Sequence, residues 1–122
     1  MNYMDNRPKT IFCDIDGTLV KHYPPSVSST PTHKMDLLDG TLEKLLDWDK
    51  KGYYIILTTG RKESLRKITE HQLSEVGIFY DQLIMGIGGG IRYLVNDNKP
   101  EGDKAAFCIC VERNKGIKDI SI

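Results

Sequence analysis

The stretch TIFCDIDGTLV, residues 10–20, carries two aspartates, Asp14 and Asp16, to the end of an apolar run and follows them at once with Gly17 and Thr18. Ile11, Phe12, Cys13 and Ile15 make that run short and apolar, and the glycine closes it, which predicts a strand buried on both faces. A strand period of two sets Asp14 and Asp16 on the same side, while Ile15 between them faces the opposite way into packing. Gly17 permits a tight reversal, and Thr18 adds a hydroxyl and a backbone N–H at the turn. Asp and Gly are also ordinary turn residues, but comparable groups at other strand ends favour a site here.

Beyond this strand, residues 21–36 are rich in Pro, Ser, Thr and His and predict a loop or flap. Leu38, Leu42, Leu45 and Leu46 recur at helical spacing, with Asp39 as N-cap and Gly52 as stop, which predicts a helix over residues 40–51. Residues 53–58, YYIILT, are aromatic and β-branched without polar alternation and read as a second strand ending at Thr59-Gly60-Arg61. A second helix follows, with Leu65, Ile68, Gln72 or Leu73, and Val76 on one face, and it ends at Gly77. Later strands are expected at 82–85, at 91–96 before Asp97, and at 105–111. Strands alternating with helices imply an α/β fold, a Rossmann-like three-layer sandwich with a mostly parallel sheet. A length of 122 residues fits one domain over residues 1–122.

Ligands of such open sheets sit at the carboxyl ends of the strands. Asp14 and Asp16, Thr58 and Thr59, and Asp97 all fall at such ends and would meet in one crevice. Three carboxylates together repel unless a cation sits among them, and hard oxygen ligands of this kind favour Mg²⁺ with retained waters and a substrate phosphate. At about 4 Å two unit charges interact by about 4 kcal/mol at an effective dielectric near 20, so an aspartate approaching a phosphate dianion meets about twice that barrier. A bridging metal removes most of it.

The string DIDGTL (residues 14–19), TTGR (58–61) about forty residues on, and an apolar strand ending in ND (96–97) resemble the haloacid dehalogenase (HAD) superfamily of aspartate-based phosphohydrolases. The resemblance spans residues 10–111. It implies that Asp14 is the nucleophile forming an aspartyl-phosphate, and that Asp16 is the acid and base, its main-chain carbonyl also binding metal. It further implies that Thr59, or alternatively Thr58, holds the phosphoryl group together with Gly60, and that Asp97 completes the Mg²⁺ shell. The family places a Lys or Arg beside the nucleophile; where small members carry that lysine, this chain has Gly86 to Gly90, so Arg92 is the first candidate cation and Lys99 the second. Asn96 stands in place of a paired acid, leaving Glu101 or Asp103 as outer partners. Neither gap that houses a cap in larger members is long enough here, so the resemblance implies a capless, open site. That suits a large substrate, or a small one enclosed by a neighbouring copy in a homo-oligomer.

Lys+Arg and Asp+Glu number 17 each, which gives no basic stripe of the kind that holds nucleic acid. The leading expectation is therefore a Mg²⁺-dependent phosphomonoesterase acting on a small phosphorylated substrate such as a sugar phosphate, with nucleic acid disfavoured. A polynucleotide 3′-phosphatase is the alternative, because ILTTGRKES (residues 56–64) is also similar to the phosphatase half of polynucleotide kinase/phosphatases. A non-enzymatic phospho-acceptor or scaffold module is a rival of another class; Asp16, a hydrolytic base that a long-lived phosphoryl switch does not want, counts against it. The cluster GIGGG lacks the third glycine and following helix of a dinucleotide fingerprint, and no phosphate-loop string of the nucleotide-binding type occurs. Cys108 and Cys110 have no second pair at zinc spacing and read as core. Among the isolated histidines, His71 reads as a solvent-facing helix residue, while His22 in the flap, or Tyr23 beside it, is a candidate substrate contact. An odd cysteine count and the lack of a leader-like or spanning apolar run predict a cytoplasmic protein away from membranes.

Overall fold

Three strands, β1 (Thr10–Asp14), β2 (Tyr54–Thr58) and β3 (Gln82–Ile84), pair in parallel in the order β1-β2-β3 in the computed structural model, which describes residues 5–122. Between them lie α1 (Pro25–Ser28), α2 (Thr41–Lys50), a 3₁₀ turn (Glu63–Leu65) and α3 (Arg66–Glu75). The register sets Asp14 against Thr58 and Thr58 against Ile84, so all three strands end at one level. No cap is inserted.

Burial along β1 alternates instead of extending to both faces: Ile11 and Cys13 are buried, whereas Phe12 is 57% exposed. Ile55, Leu57 and Leu83 point to the same side as Ile11, into one core with Leu45 and Trp48 of α2, Leu73 of α3 and the late residue Ile117. Residues 91–96 and 105–111, expected as strands, stay outside the sheet, with Val95 94% and Phe107 77% exposed. β-propensity expresses a fit to a half-buried pleated surface, and these segments have no such surface beneath them.

The helix ends follow backbone chemistry closely. After α2, Gly52 (φ 76°) directs its N–H to the Asp49 carbonyl and the Tyr53 N–H to that of Trp48; after α3, Gly77 (φ 83°) does the same toward Ser74 and Leu73. Both are the left-handed cap in which two otherwise orphaned carbonyls gain donors. The start of α2 differs from expectation, because Gly40, not Asp39, is the N-cap, and the Asp39 carbonyl instead accepts the Ile117 N–H at 2.9 Å. A Cβ on Gly40 would lie 2.6 Å from the Lys118 nitrogen, so the close passage of residues 116–118 requires glycine here.

The inward stripe of α2 is Thr41, Leu45 and Trp48, whereas Leu46 is 51% exposed. Leu45→Ala is expected to cost about 2–5 kcal/mol in denaturant unfolding, against less than about 0.5 kcal/mol for Leu46→Ala.

Candidate active site

Asp14 ends β1, and the chain then turns tightly: the N–H groups of Thr18, Leu19 and Val20 all donate to the Ile15 carbonyl, and Gly17 (φ 89°) donates to that of Val20. This turn brings the Thr18 hydroxyl to the Asp14 carboxylate, 3.1 Å from Oδ2. Packing around the strand ends pushes the Asp14 carboxyl above its ordinary value; the Thr18 hydroxyl and the Ile15 N–H oppose this, the Asp16 charge adds to it, and the Arg92 guanidinium lowers it.

Asp16 is held differently. Arg61 grips both of its carboxylate oxygens, Nε to Oδ2 and Nη2 to Oδ1, each at 2.8 Å. The pair is largely enclosed, with 9% of the Arg61 side chain and 20% of the Asp16 side chain exposed. The remaining Arg61 nitrogen donates to Gln72 Oε1 at 2.6 Å and to the Thr69 hydroxyl at 3.3 Å. Two coplanar N–H···O bonds fix the carboxylate plane in a way a lysine could not.

Thr59 is buried, takes a backbone bond to the Ile84 carbonyl at 3.0 Å, and accepts the Arg61 N–H on its hydroxyl at 3.0 Å. Thr58 stands beside Asp14 in register. Gly60 lies under the glycine loop: a Cβ there would come within 2.6 Å of the Gly88 carbonyl and 3.6 Å of Arg92 Nη2. Arg92 is secured by bonds to the Gly88 and Gly90 carbonyls at 2.8 and 2.9 Å, which holds its charge over this end of the sheet. From the far end of the chain, the Asn114 N–H donates to the Gly17 carbonyl, and the Asn114 side chain accepts the His22 N–H, both at 2.8 Å.

Asp97 is placed elsewhere. It lines a surface hollow with Asp5, Arg7 and Lys99, and Lys99 pairs with Asp5 at 3.1 Å. Glu101 lines the adjoining hollow. With residues 91–96 outside the sheet, nothing carries Asp97 to the level of Asp14, and among the described residues no three His, Cys, Asp or Glu side chains stand together as a metal cage. Cys108 and Cys110 are exposed rather than core, with sulfurs 3.8 Å apart. Tyr23 bonds to Asp36 and meets His33 edge-on, within the flap. The Arg61 and Gln72 side chains were not singled out from sequence; the available signal was a glutamine on the apolar face of a helix that follows a Thr-Gly-Arg turn.

A family model described as the polynucleotide kinase PNKP phosphatase domain matches residues 8–92. Two solved structures, of a Pnkp1/Rnl/Hen1 complex and of the Pnkp1/Rnl/Hen1 RNA repair complex, contain chains 32% identical to this one, with TM-scores of 0.56 and 0.54. The matches cover 75% and 69% of this chain but 31% and 28% of those chains, so this chain spans about a third of their length. A crystal structure of a structural-genomics target from Vibrio cholerae shares the fold at 19% identity and a TM-score of 0.52, covering 75% of this chain and 81% of that one. Curated proteins give no match. These similarities overturn the expectation of a sugar phosphate substrate with nucleic acid disfavoured: net charge describes the whole surface, whereas residues 8–92 match the polynucleotide kinase PNKP phosphatase domain and the similar chains come from an RNA repair complex. Among the described residues no helix is long and apolar enough to cross a membrane.

A raised carboxyl value in the fold means that the ionised form of Asp14 is disfavoured there, so its contribution to stability is present at acid pH and lost as pH rises through the folded value. In metal-free buffer Asp14→Asn is expected to raise the melting temperature at pH 7, with the gain shrinking as pH falls through the raised folded value and gone below the ordinary Asp value of 3.8.

Proposed function

Because the chain belongs to the family of polynucleotide kinase PNKP phosphatase domains, within the HAD superfamily, we propose that it hydrolyses the terminal 3′-phosphate of a polynucleotide through an aspartyl-phosphate. The observation that carries this reading is the pairing of a solvent-reachable Asp14 with an Asp16 immobilised by Arg61 at one level of the sheet. Asp14 is the nucleophile: its carboxylate oxygen forms a bond to phosphorus as the ester P–O bond breaks. Asp16 delivers a proton to the departing oxygen, then takes one from the water that cleaves the acyl phosphate and restores Asp14. Arg61 keeps the Asp16 carboxylate in one plane through both steps. Arg92, with the Thr59-Gly60 turn, receives the non-bridging phosphate oxygens.

The donor set fits Mg²⁺ of the kind that uses few protein ligands. The Asp14 carboxylate and the main-chain carbonyl of Asp16 would hold it, since the Asp16 side chain is engaged by Arg61; Asp97 is not among these donors. A bound ion would supply positive charge that offsets the repulsion of carboxylate and phosphate. We read residues 1–122 as one phosphatase domain whose flap, residues 21–36, borders an open site. A polymer end can enter such a site without a cap having to open.

Asp14→Asn is expected to abolish phosphate release from a 3′-phosphorylated oligonucleotide, with EDTA reproducing the loss in the unsubstituted protein and Mg²⁺ reversing it. Release unchanged in Asp14→Asn would remove Asp14 from the chemistry. A site that takes only the end of a strand predicts a shallow salt dependence: with about two phosphates neutralised on a single strand, affinity should fall about sevenfold between about 50 and about 200 mM salt.

A further inference from the structure

The flap contains α1 (Pro25–Ser28), a single helical turn with no side-chain cap and no basic residue in its last turn. One isolated turn is far too short to persist in water, because helix nucleation is costly. Its C-terminal carbonyls also need donors from outside the helix. The Pro25 and Val27 carbonyls accept the Ser29 and Thr30 N–H groups, but the last carbonyl, that of Ser28, is met from across the molecule: Gln72 Nε2 donates to it at 2.9 Å, and to the Thr30 carbonyl just beyond the turn at 3.3 Å. Gln72 is completely buried and sits on the inward face of α3 with Thr69 and Leu73. Its other amide atom, Oε1, accepts Arg61 Nη1, and Arg61 in turn grips Asp16. Every polar contact of this side chain is therefore either to the flap backbone or to the residue that orients Asp16.

The chemistry at the two ends is opposite. Arg61 can only donate and the flap carbonyls can only accept, so the site demands an acceptor and a donor on one short, planar group. An amide meets that demand; a carboxylate or a thioether does not.

We propose that Gln72 is a positioning residue, a latch that joins the flap turn at residues 25–30 to the Arg61–Asp16 pair, so that flap placement and the orientation of Asp16 are set together. The consequence for activity rests on the phosphatase reading above; the latch itself does not. Gln72→Met removes both halves at similar volume. Gln72→Glu keeps an acceptor for Arg61 but faces the flap carbonyls with an anion, which separates the two halves.

Amide hydrogen exchange without substrate tests the flap half, read at Ser28, Ser29 and Thr30, whose N–H groups bond to Pro24, Pro25 and Val27. Both variants are expected to exchange about tenfold or more faster there, while amides of β1 and β2 keep their protection. With a 3′-phosphorylated oligonucleotide and Mg²⁺, Gln72→Met is expected to lower kcat about tenfold with KM within about twofold, and Gln72→Glu to recover part of that kcat despite its loosened flap. Flap exchange unchanged in both variants would overturn the latch, as would protection lost throughout the sheet in both, which would make Gln72 a core residue only. An unchanged kcat in Gln72→Met would overturn the link to Asp16. If the unsubstituted protein released no phosphate while flap exchange rose as expected, the phosphatase reading would fall and the latch would stand.

Discussion

The geometry of the site depends on one enclosed ion pair, Arg61 with Asp16. It joins the turn that follows β1 to the turn that follows β2, positions forty-five residues apart in sequence, through two bonds of 2.8 Å. Removing one partner of such a pair leaves an uncompensated charge and costs about 3–5 kcal/mol, whereas the intact pair contributes little net stability. Its value lies in orientation. The parallel register delivers Asp14 and Thr58 to the same level, but a carboxylate two residues beyond a strand end would rotate freely without a planar partner.

Support for that turn comes from an unexpected direction. Residues 112–118 return to the body of the molecule, where the Asn114 N–H bonds to the Gly17 carbonyl, Ile117 is buried in the core, and its N–H bonds to Asp39. Gly40 has no Cβ where Lys118 passes, and Gly116 none where Asp39 passes. The loop carrying the two acids is thus braced by the flap on one side and by the late segment on the other. A site built on loops gains precision only from such second contacts.

The open face of the site also frames the substrate question. Equal numbers of acidic and basic residues argued against a polyanion, yet binding depends on where cations stand. Arg92 is held by two loop carbonyls next to Gly60, and Arg113 packs its stem on Gly17. A guanidinium held beside Gly60 is a local field that a sum over the chain cannot register.

Much of this could be read from the residues alone. The apolar run into Asp14-x-Asp16-Gly17, the strand into Thr59-Gly60, and the glycines that close both helices follow from period, turn chemistry and left-handed capping, all local properties of the backbone. The strands expected at 91–96 and 105–111 did not form, because the same apolar alternation needs a surface to pack on, and that is not local. Asp97 was carried away from the acids with them. The N-cap passed from Asp39 to Gly40 because a segment nearly eighty residues later presses on that turn. Arg61 and Gln72 were visible as letters, but their partners are set by helix packing and flap placement. The sequence by itself determined which groups end the strands, since alternation and turns act over a few residues; only the tertiary structure decided which of them meet, since that requires distant segments to share one core.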